Sequence, residues 1–502
     1  MSYEQYRASL IQSYYDYQLE TLMSDFDPRR PTVILLPGGM GSQLERTEQA
    51  YPANPNLITD IVWLDWQVII GDARTLEIDA AGSDKDSFVL AAHGPFKFLG
   101  ENPYGDLRER ARSKNWNYAV FGYDWRRPLK ESAAYFKNWI LDFRARVRRR
   151  FGDAYDPIPR LTIVCHSMGG LVATAALADA NFSGLGFNAV MTIATPFYGT
   201  STQQERYYKG VDRLNDIYGT QDVIRIVASL PGPYTLMFLP KAVYDRDQQK
   251  LGLTRYPEFD PNGPCDPYDA GMMRRWPQPI RDRWQHIDKA RDEMIGVADP
   301  INPNIAAKFF NVRSGLDRTT AVELIWNDVD GTTIDPDDDP SPVTGLAGPG
   351  DGTVPAWSAF HAYCSNRYDL TQAKDHGNLL RHREVLALIE KVVTTGKLPV
   401  RPMAARAGKA KAPTKQTVAK KTDRAFSNLA AQPAAERTMP PELFEKPVQQ
   451  SFMADLIGGT KPRMVGMASP AAAAVGPQRE AVARPKKPKK AKKTASKRRR
   501  KR

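Results

Sequence analysis

The segment that decides the fold reads Leu161-Thr-Ile-Val-Cys-His-Ser-Met-Gly-Gly-Leu-Val-Ala-Thr-Ala-Ala-Leu177. It predicts an apolar strand, a turn of small residues and an apolar helix, with Ser167 at the apex of the turn. Gly169 and Gly170 provide small neighbours after the serine, whereas Cys165 stands where the motif usually has glycine. This context indicates a nucleophilic serine on a strand–turn–helix elbow. A serine in an ordinary strand–helix loop is the alternative.

Other short apolar runs flank this segment at residues 32–36, 118–121, 189–193 and 308–312. They are continuously apolar rather than alternating, as is typical of strands covered on both faces of a parallel sheet. Helical patterns lie between them at residues 106–113, 132–149 and 170–180. The alternation predicts an α/β fold with a doubly wound, mostly parallel sheet.

The domain organisation follows from composition and spacing. Residues 1–30 resemble an aromatic-rich helical arm, and residues 31–397 are predicted to form the catalytic domain. Two intervals within it, at about 42–103 and 200–304, are too long for simple crossovers, so we interpret them as cap insertions. Residues 398–502 are rich in Ala, Pro, Lys and Arg, which is typical of a disordered tail.

Charge is divided unevenly along the chain. Residues 401–502 carry 26 Lys and Arg against 6 Asp and Glu, a net of +20, whereas the first 400 residues have a net charge of −7. Such a tail is expected to bind polyanions or an anionic membrane. A solvated tail that aids solubility is the alternative. Residues 484–502 have no aromatic residues to stack on bases, so no specific nucleic acid is expected.

Cysteine content and hydropathy limit which cell compartments fit the sequence. Three widely spaced cysteines without a CxxC pair predict neither a disulfide framework nor a zinc site, and we expect no cofactor. No signal peptide or long apolar span is visible in the sequence. A cytoplasmic protein, or one peripheral to a membrane, is the expectation, with signal-independent export left open.

A serine nucleophile needs a histidine base and an acid, in the order Ser, Asp or Glu, His for this fold. His376 precedes a predicted helix in a polar loop, which favours it over His361 and His382. Asp351 lies between two glycines, whose flexibility lets its carboxylate approach an imidazole. The acidic run at 335–339 is the alternative source of the acid, although such runs are usually solvated loops.

An oxyanion hole requires two backbone N–H groups aimed at the developing negative charge. One is expected from Met168, directly after the nucleophile. The other is expected from the loop after the first strand, Pro37-Gly-Gly-Met-Gly41, where Gly39 is preferred and Met40 is the alternative.

Several motifs together resemble one family. They are the Pro37–Gly41 loop, Tyr123-Asp-Trp-Arg126, His166-Ser-Met-Gly169, Thr195-Pro-Phe-Tyr-Gly199, Gly350-Asp-Gly-Thr-Val-Pro355 and Asp375-His376. Over roughly residues 32–395 the chain resembles the lecithin:cholesterol acyltransferase family, which includes phospholipid:diacylglycerol acyltransferases. The resemblance implies acyl-ester chemistry on lipids, with Ser167, Asp351 and His376 as the triad. It also implies that the first insertion engages lipid and the second carries a lid.

Aromatic residues within the insertions fit a role in facing lipid. Trp63 and Trp66 lie in the first insertion, and Phe238 lies in the second. Ordinary packing inside the cap is the alternative, because large apolar residues usually pack in a core.

The sequence therefore predicts a serine esterase, lipase or O-acyltransferase that acts on carboxyl esters, with lipid acyl esters as the expected substrate. The alternative is a catalytically weak protein of the same fold whose basic tail binds polyanions or anionic membrane.

Overall fold

The computed structural model describes residues 2–47, 60–63, 73–85, 89–95, 102–260, 263–314, 319–326, 343–372 and 375–399. All of these residues belong to one compact unit. Among the described helices, none is long and apolar enough to cross a lipid bilayer.

The centre of the fold is a sheet of six parallel strands. Its strands are β1 (Thr32–Leu36), β5 (Asn117–Val120), β6 (Leu161–His166), β7 (Ala189–Ile193), β10 (Phe309–Arg313) and β13 (Asn366–Asp369). They lie in the order β5-β1-β6-β7-β10-β13. The chain first moves from β1 to one neighbour, β5, and then returns to the other side of β1 at β6. This reversal opens a crevice at the carboxyl ends of β1 and β6, where such sheets bind ligands.

Helices cover both faces of the sheet. Those of the sheet layers are α1 (Tyr3–Ser24), α2 (Gly105–Ser113), α3 (Leu129–Phe151), α4 (Met168–Leu177), α5 (Ala180–Ser183), α13 (Pro303–Ala306) and α14 (Arg383–Thr395). Alternate residues of β1 enter two different cores: Ile34 and Leu36 pack with α1, α3 and α4, whereas Val33 and Leu35 pack with α2 and α14. Burial on both faces explains why the strand is apolar from Val33 to Leu36.

The two insertions have their own secondary structure. The first contains the antiparallel strands β2 (Ser42–Thr47), β3 (Asp60–Trp63) and β4 (Val89–Pro95), and a 3₁₀ turn at Ala73–Leu76. The second contains β8 (Glu258–Asp260), β9 (Gly263–Pro264), α6 (Ser201–Lys209), α7 (Asp212–Tyr218), α8 (Thr220–Ala228), α9 (Lys241–Leu251), α10 (Ala270–Met273), α11 (Gln278–Arg281) and α12 (Trp284–Val297).

A hairpin outside the predicted insertions completes the cap. Strands β11 (Thr319–Trp326) and β12 (Val343–Pro349) follow β10 and pair with β8 and β9 in a four-stranded sheet of order β12-β11-β8-β9. These two strands, which lie between β10 and Asp351 in the sequence, are therefore a third contribution to the cap.

A buried ion cluster joins the amino-terminal helix to the rest of the fold. The Arg126 guanidinium is fully buried and lies 2.7 Å from Asp124 and 2.8 Å from Asp84. Arg7 of α1 bonds Glu131 at the start of α3, at 2.6 Å. Arg7 also lies 4.0 Å from Asp124, and because buried charges are tolerated only when they are paired, this contact holds α1 against the Tyr123–Arg126 segment.

Candidate active site

Ser167 has a strained backbone conformation. Its φ is 52° and its ψ is −128°, between the end of β6 at His166 and the start of α4 at Met168. Its N–H donates to the carbonyl oxygen of Ile193 on the neighbouring strand, at 3.0 Å. A non-glycine residue in such a region costs on the order of 1–3 kcal/mol and is concentrated at functional sites. The elbow thereby places the serine at the carboxyl end of β6, an interior strand of the sheet.

The two glycines after the serine allow neighbouring loops to lie very close to the backbone of α4. A Cβ added at Gly169 would lie 2.5 Å from the carbonyl oxygens of Leu36 and Pro37, and one at Gly170 would lie 1.9 Å from Thr195 Oγ1. Both distances are far below van der Waals contact. Glycine is therefore required here so that α4 can pack against the loops that follow β1 and β7.

His376 and Asp351 form a buried pair. His376 Nδ1 lies 2.7 Å from Asp351 Oδ2, and the side chains are 3% and 1% exposed. The other carboxylate oxygen, Oδ1, accepts hydrogen bonds from the N–H groups of Thr353 at 3.0 Å and Val354 at 2.7 Å. An ionised carboxylate only accepts, so Nδ1 of His376 carries the proton and Nε2 of the neutral ring is left as an acceptor. Such a ring is equipped to take a proton from a hydroxyl.

The loop after β1 lies against the start of α4. A Cβ at Gly38 would lie 3.0 Å from Ser167 Cβ, and one at Gly39 would lie 3.3 Å from Met168 Sδ. The first N–H groups of a helix have no partner within the helix, so Met168 can donate to a ligand. The Gly38 N–H is engaged by Tyr104 Oη at 2.9 Å, which leaves Gly39 as the glycine of this loop placed beside Met168.

A cavity of about 110 Å³ joins these groups. Ser167, His376, Gly39 and Met168 all line it. Apolar side chains form most of the remaining wall: Leu76, Trp125, Val211, Leu214, Ile226, Val227, Leu230, Pro233 and Leu236. The polar part of the wall is made by Thr200, Thr202, Gln203, Arg206 and Thr353. The site thus combines a small polar centre with an extended apolar wall supplied mainly by the cap.

The cavity wall includes the positively charged side chain of Arg206. Burial lowers the pKa of the Arg206 guanidinium to about 10, so the side chain keeps its positive charge at neutral pH.

The alternative histidines lie elsewhere. His361 is fully buried, its Nε2 bonds the carbonyl oxygen of Val297 at 2.9 Å, and it does not line the cavity. His382 directly precedes α14 instead of lying inside a helix. The acidic run at 335–339 is outside the described residues.

The predicted lipid-facing aromatic residues are only partly described. Trp66 and the side chain of Trp63 lie outside the described residues. Phe238 is fully buried in the aromatic core of the cap, with its ring centroid 5.6 Å from that of Trp357, and it is not part of the cavity wall. This placement corrects the prediction for Phe238: its backbone N–H and carbonyl bond Gln204 and Tyr268, which turns the side chain inward. Pro233 and Leu236 of the same segment do reach the cavity.

Sequence reasoning missed two features of the site. Helix α8 contributes Ile226 and Val227 to the cavity wall, and its apolar residues recur at helical spacing, which was a usable signal. Tyr104 lines the cavity and bonds the Gly38 N–H of the loop after β1, and no sequence pattern distinguishes it from an ordinary core tyrosine.

The parallel sheet and the serine elbow define an α/β-hydrolase fold. Residues 115–225, from β5 into α8, match the family described as the PGAP1-like alpha/beta domain. The comparisons therefore indicate this hydrolase fold and do not single out the lecithin:cholesterol acyltransferase family. No curated protein matches the chain at a significant level.

Solved structures resemble the chain at low sequence identity. One is a chain of the Tle4–Tli4 complex, at 15% identity and a TM-score of 0.48, with 73% of this chain and 98% of that chain covered. Another is the mature Bacillus licheniformis lipase BlEst2, at 13% identity and a TM-score of 0.32, with 73% and 93% covered. A third is the Vlm2 thioesterase domain, at 12% identity and a TM-score of 0.24, with 74% and 94% covered. With TM-scores below 0.5, these similarities assign no activity.

Proposed function

We propose that the protein is a carboxylic-ester hydrolase that forms an acyl-enzyme on Ser167. The observation that carries the proposal is the buried 2.7 Å contact of Asp351 with His376, a residue that lines the same cavity as the strained Ser167. A binding protein without catalysis has no need of this combination. The residues would act as nucleophile, base and orienting acid.

The groups that take part in the proposed reaction line the cavity or, in the case of Asp351, contact a residue that does. Ser167 Oγ attacks the ester carbonyl carbon while His376 Nε2 takes the hydroxyl proton. The N–H groups of Met168 and Gly39 stabilise the oxyanion of the tetrahedral intermediate. Collapse of the intermediate breaks the ester C–O bond, and His376 returns the proton to the leaving alcohol. Asp351 stabilises the imidazolium throughout. A water molecule, activated by the same base, then releases the acid.

The apolar wall of the cavity supports an acyl chain as the group that is bound. Burial of each CH₂ stabilises a complex by about 0.8 kcal/mol, so a wall formed by Leu214, Val227 and Leu230 favours long acyl groups over acetyl. The resemblance to the lecithin:cholesterol acyltransferase family supports lipid esters as the natural class.

Nitrophenyl esters of increasing chain length test the proposal. We expect turnover by the wild type, with kcat/KM rising from acetyl to medium and long chains, and none by Ser167→Ala. Ser183→Ala is a matched control because Ser183 is buried and bonded to Ala180 but does not line the cavity. An equal, low rate for both variants and the wild type would contradict ester hydrolysis.

Acyl transfer to an alcohol is a variant of the same reaction, since both begin with the acyl-enzyme and differ only in the acceptor. Products are compared with and without an added sterol or long-chain alcohol. Formation of the new ester would assign acyl transfer, whereas free acid alone would assign hydrolysis.

The basic tail supports a second, separate property. We propose that residues 401–502, with a net charge of +20, bind an anionic membrane or another polyanion by electrostatics. In the alternative function, binding by the tail would be the main role of the protein and the hydrolase body would be weakly active. The rates of turnover of the nitrophenyl esters distinguish an ester hydrolase from such a binding protein.

A further inference from the structure

Two buried residues that the proposed reaction does not use connect both sides of the site. Tyr104 Oη lies 2.9 Å from the Gly38 nitrogen and 3.2 Å from His166 Nδ1. His166 Nε2 in turn lies 3.0 Å from the main-chain carbonyl oxygen of His376. Tyr104 and His166 are 4% exposed each. A continuous hydrogen-bonded chain thus runs from the proposed oxyanion loop at Gly38, through Tyr104 and through His166, which directly precedes Ser167, to the backbone of His376.

The direction of every bond in this chain is determined. The Gly38 N–H can only donate, so Tyr104 Oη accepts from it. The carbonyl oxygen of His376 can only accept, so His166 Nε2 carries a proton and donates it to this oxygen. A neutral imidazole with its proton on Nε2 accepts at Nδ1, so the hydroxyl group of Tyr104 donates to that nitrogen. His166 is therefore required as the neutral Nε2–H tautomer.

The surroundings of His166 favour the same protonation state. Burial, followed by the effect of His376, lowers the pKa of His166 to about 3. The ring centroids of His166 and His376 are 4.8 Å apart. Since His376 would become an imidazolium during the reaction, a second positive ring at this distance would oppose the proton transfer. A neutral His166 provides hydrogen bonds without that repulsion.

We propose that Tyr104 and His166 are positioning residues that hold the oxyanion loop and the His376 loop at fixed places on either side of Ser167. The proposal rests on the proposed ester hydrolysis. Neither residue exchanges a proton with substrate. Their effect is on the alignment of Gly39 and the His376 ring, and misplacement of a reacting group by about 1 Å costs on the order of 10²-fold in rate.

Variants that break or preserve the chain test this role. Tyr104→Phe and His166→Leu remove its bonds, and we expect kcat to fall about 10²-fold. KM for a short-chain ester should change little, because Tyr104→Phe keeps the ring that lines the cavity and the apolar side chains of the cap are unchanged. His166→Gln keeps one acceptor and one donor on its amide, so most of the loss should be rescued.

Two matched controls separate positioning from stability. Tyr256→Phe removes a buried tyrosine bond to Leu239 outside the cavity. His361→Gln alters a buried histidine with the same pattern, accepting from the Tyr363 N–H and bonding Val297. Both should lower thermal stability but keep the kcat of the folded protein. Positioning is overturned if Tyr104→Phe and His166→Leu turn over ester as fast as these controls. A wild type without ester turnover would instead refute the proposed function, and the positioning role with it.

A measurement on the wild type does not depend on whether the variants fold. Long-range ¹H–¹⁵N spectra of histidine-labelled protein report which ring nitrogen carries the proton. We expect His166 to remain the neutral Nε2–H tautomer from pH 5 to pH 8. In Tyr104→Phe we expect His166 to adopt the other tautomer or a mixture of the two. A proton on Nδ1, or titration of His166 within this range, would overturn the proposed chain.

Discussion

His376 is joined to Asp351 by two hydrogen bonds. The imidazole Nδ1 lies 2.7 Å from Oδ2, and the His376 N–H donates to the main-chain carbonyl oxygen of Asp351 at 3.0 Å. The carboxylate is itself fixed by the N–H groups of Thr353 and Val354. Because both the ring and its backbone are fixed to one residue, the orientation of the proposed base is set before any substrate binds.

This relationship predicts unequal losses in the triad variants. His376→Ala should lower kcat about as severely as Ser167→Ala, since members of a triad act as a unit. Asp351→Asn should lower it by about 10⁴-fold, because the amide no longer selects the correct tautomer. Kinetics on a short-chain nitrophenyl ester measure both. A larger loss from His361→Gln than from His376→Ala would contradict the choice of base.

The apolar wall predicts chain-length selectivity. Val227→Trp fills part of the cavity, so kcat/KM for a long-chain ester should fall at least about tenfold relative to a short-chain ester, the loss of roughly two buried CH₂ groups. Arg225→Trp is the control, because it adds the same side chain to the exposed side of the same helix. If the ratio of kcat/KM for the long-chain ester to that for the short-chain ester were equal in both variants, the acyl chain would bind elsewhere.

Buried histidines predict a loss of stability in acid. Burial lowers the pKa of His361 to about 4 and that of His166 to about 3, against about 6.5 in an unfolded chain. Between pH 6.5 and pH 4 the unfolded state binds more protons, so the free energy of unfolding falls as pH falls. Each group contributes up to about 1.4 kcal/mol per pH unit.

His361→Gln should make this dependence shallower below pH 6.5, as measured by urea unfolding at several pH values. Tyr256→Phe, which does not titrate in this range, should shift the curve without changing its slope. If the His361→Gln curve runs parallel to that of the wild type, His361 is not the source of the dependence.

The division of charge predicts separable functions. Without residues 401–502 the protein should keep its kcat/KM on a soluble ester, because the described site lies wholly within residues 38–377. It should lose affinity for anionic vesicles, and the binding of the full chain should weaken steeply with salt. Loss of soluble-ester turnover in the truncated but folded protein would place the tail in the catalytic unit. Salt-insensitive vesicle binding would refute the electrostatic account.

The parallel sheet was predictable because its strands are buried on both faces. Runs at 32–36, 161–164 and 189–193 are continuously apolar, and the observed strands contain them. Strand β13 was not predicted, since Asn-Arg-Tyr-Asp at the sheet edge has only partly buried or exposed side chains and so lacks an apolar signal. The hairpin β11–β12 was also not predicted, because it belongs to the cap and its strand β11 pairs with β8, about sixty residues earlier in the sequence.

The places of the proposed site residues in the fold were predictable where local motifs specify them. Ser167 is fixed by its own strand, turn and helix, and Asp351 and His376 by short polar loops, which the structure brings to 2.7 Å. The cavity wall depends on how the cap folds back over the sheet, which no local pattern records. Phe238 illustrates this, because its segment reaches the cavity while its own ring turns into the cap core.

The most direct test of the central claim is the site of covalent labelling by an alkyl fluorophosphonate, mapped by mass spectrometry of peptides. The account predicts a single label on Ser167, absent in Ser167→Ala, retained in Ser183→Ala and slowed by a competing long-chain ester. A label on a different serine, or none on the folded wild type, would contradict the assignment of Ser167 as the nucleophile.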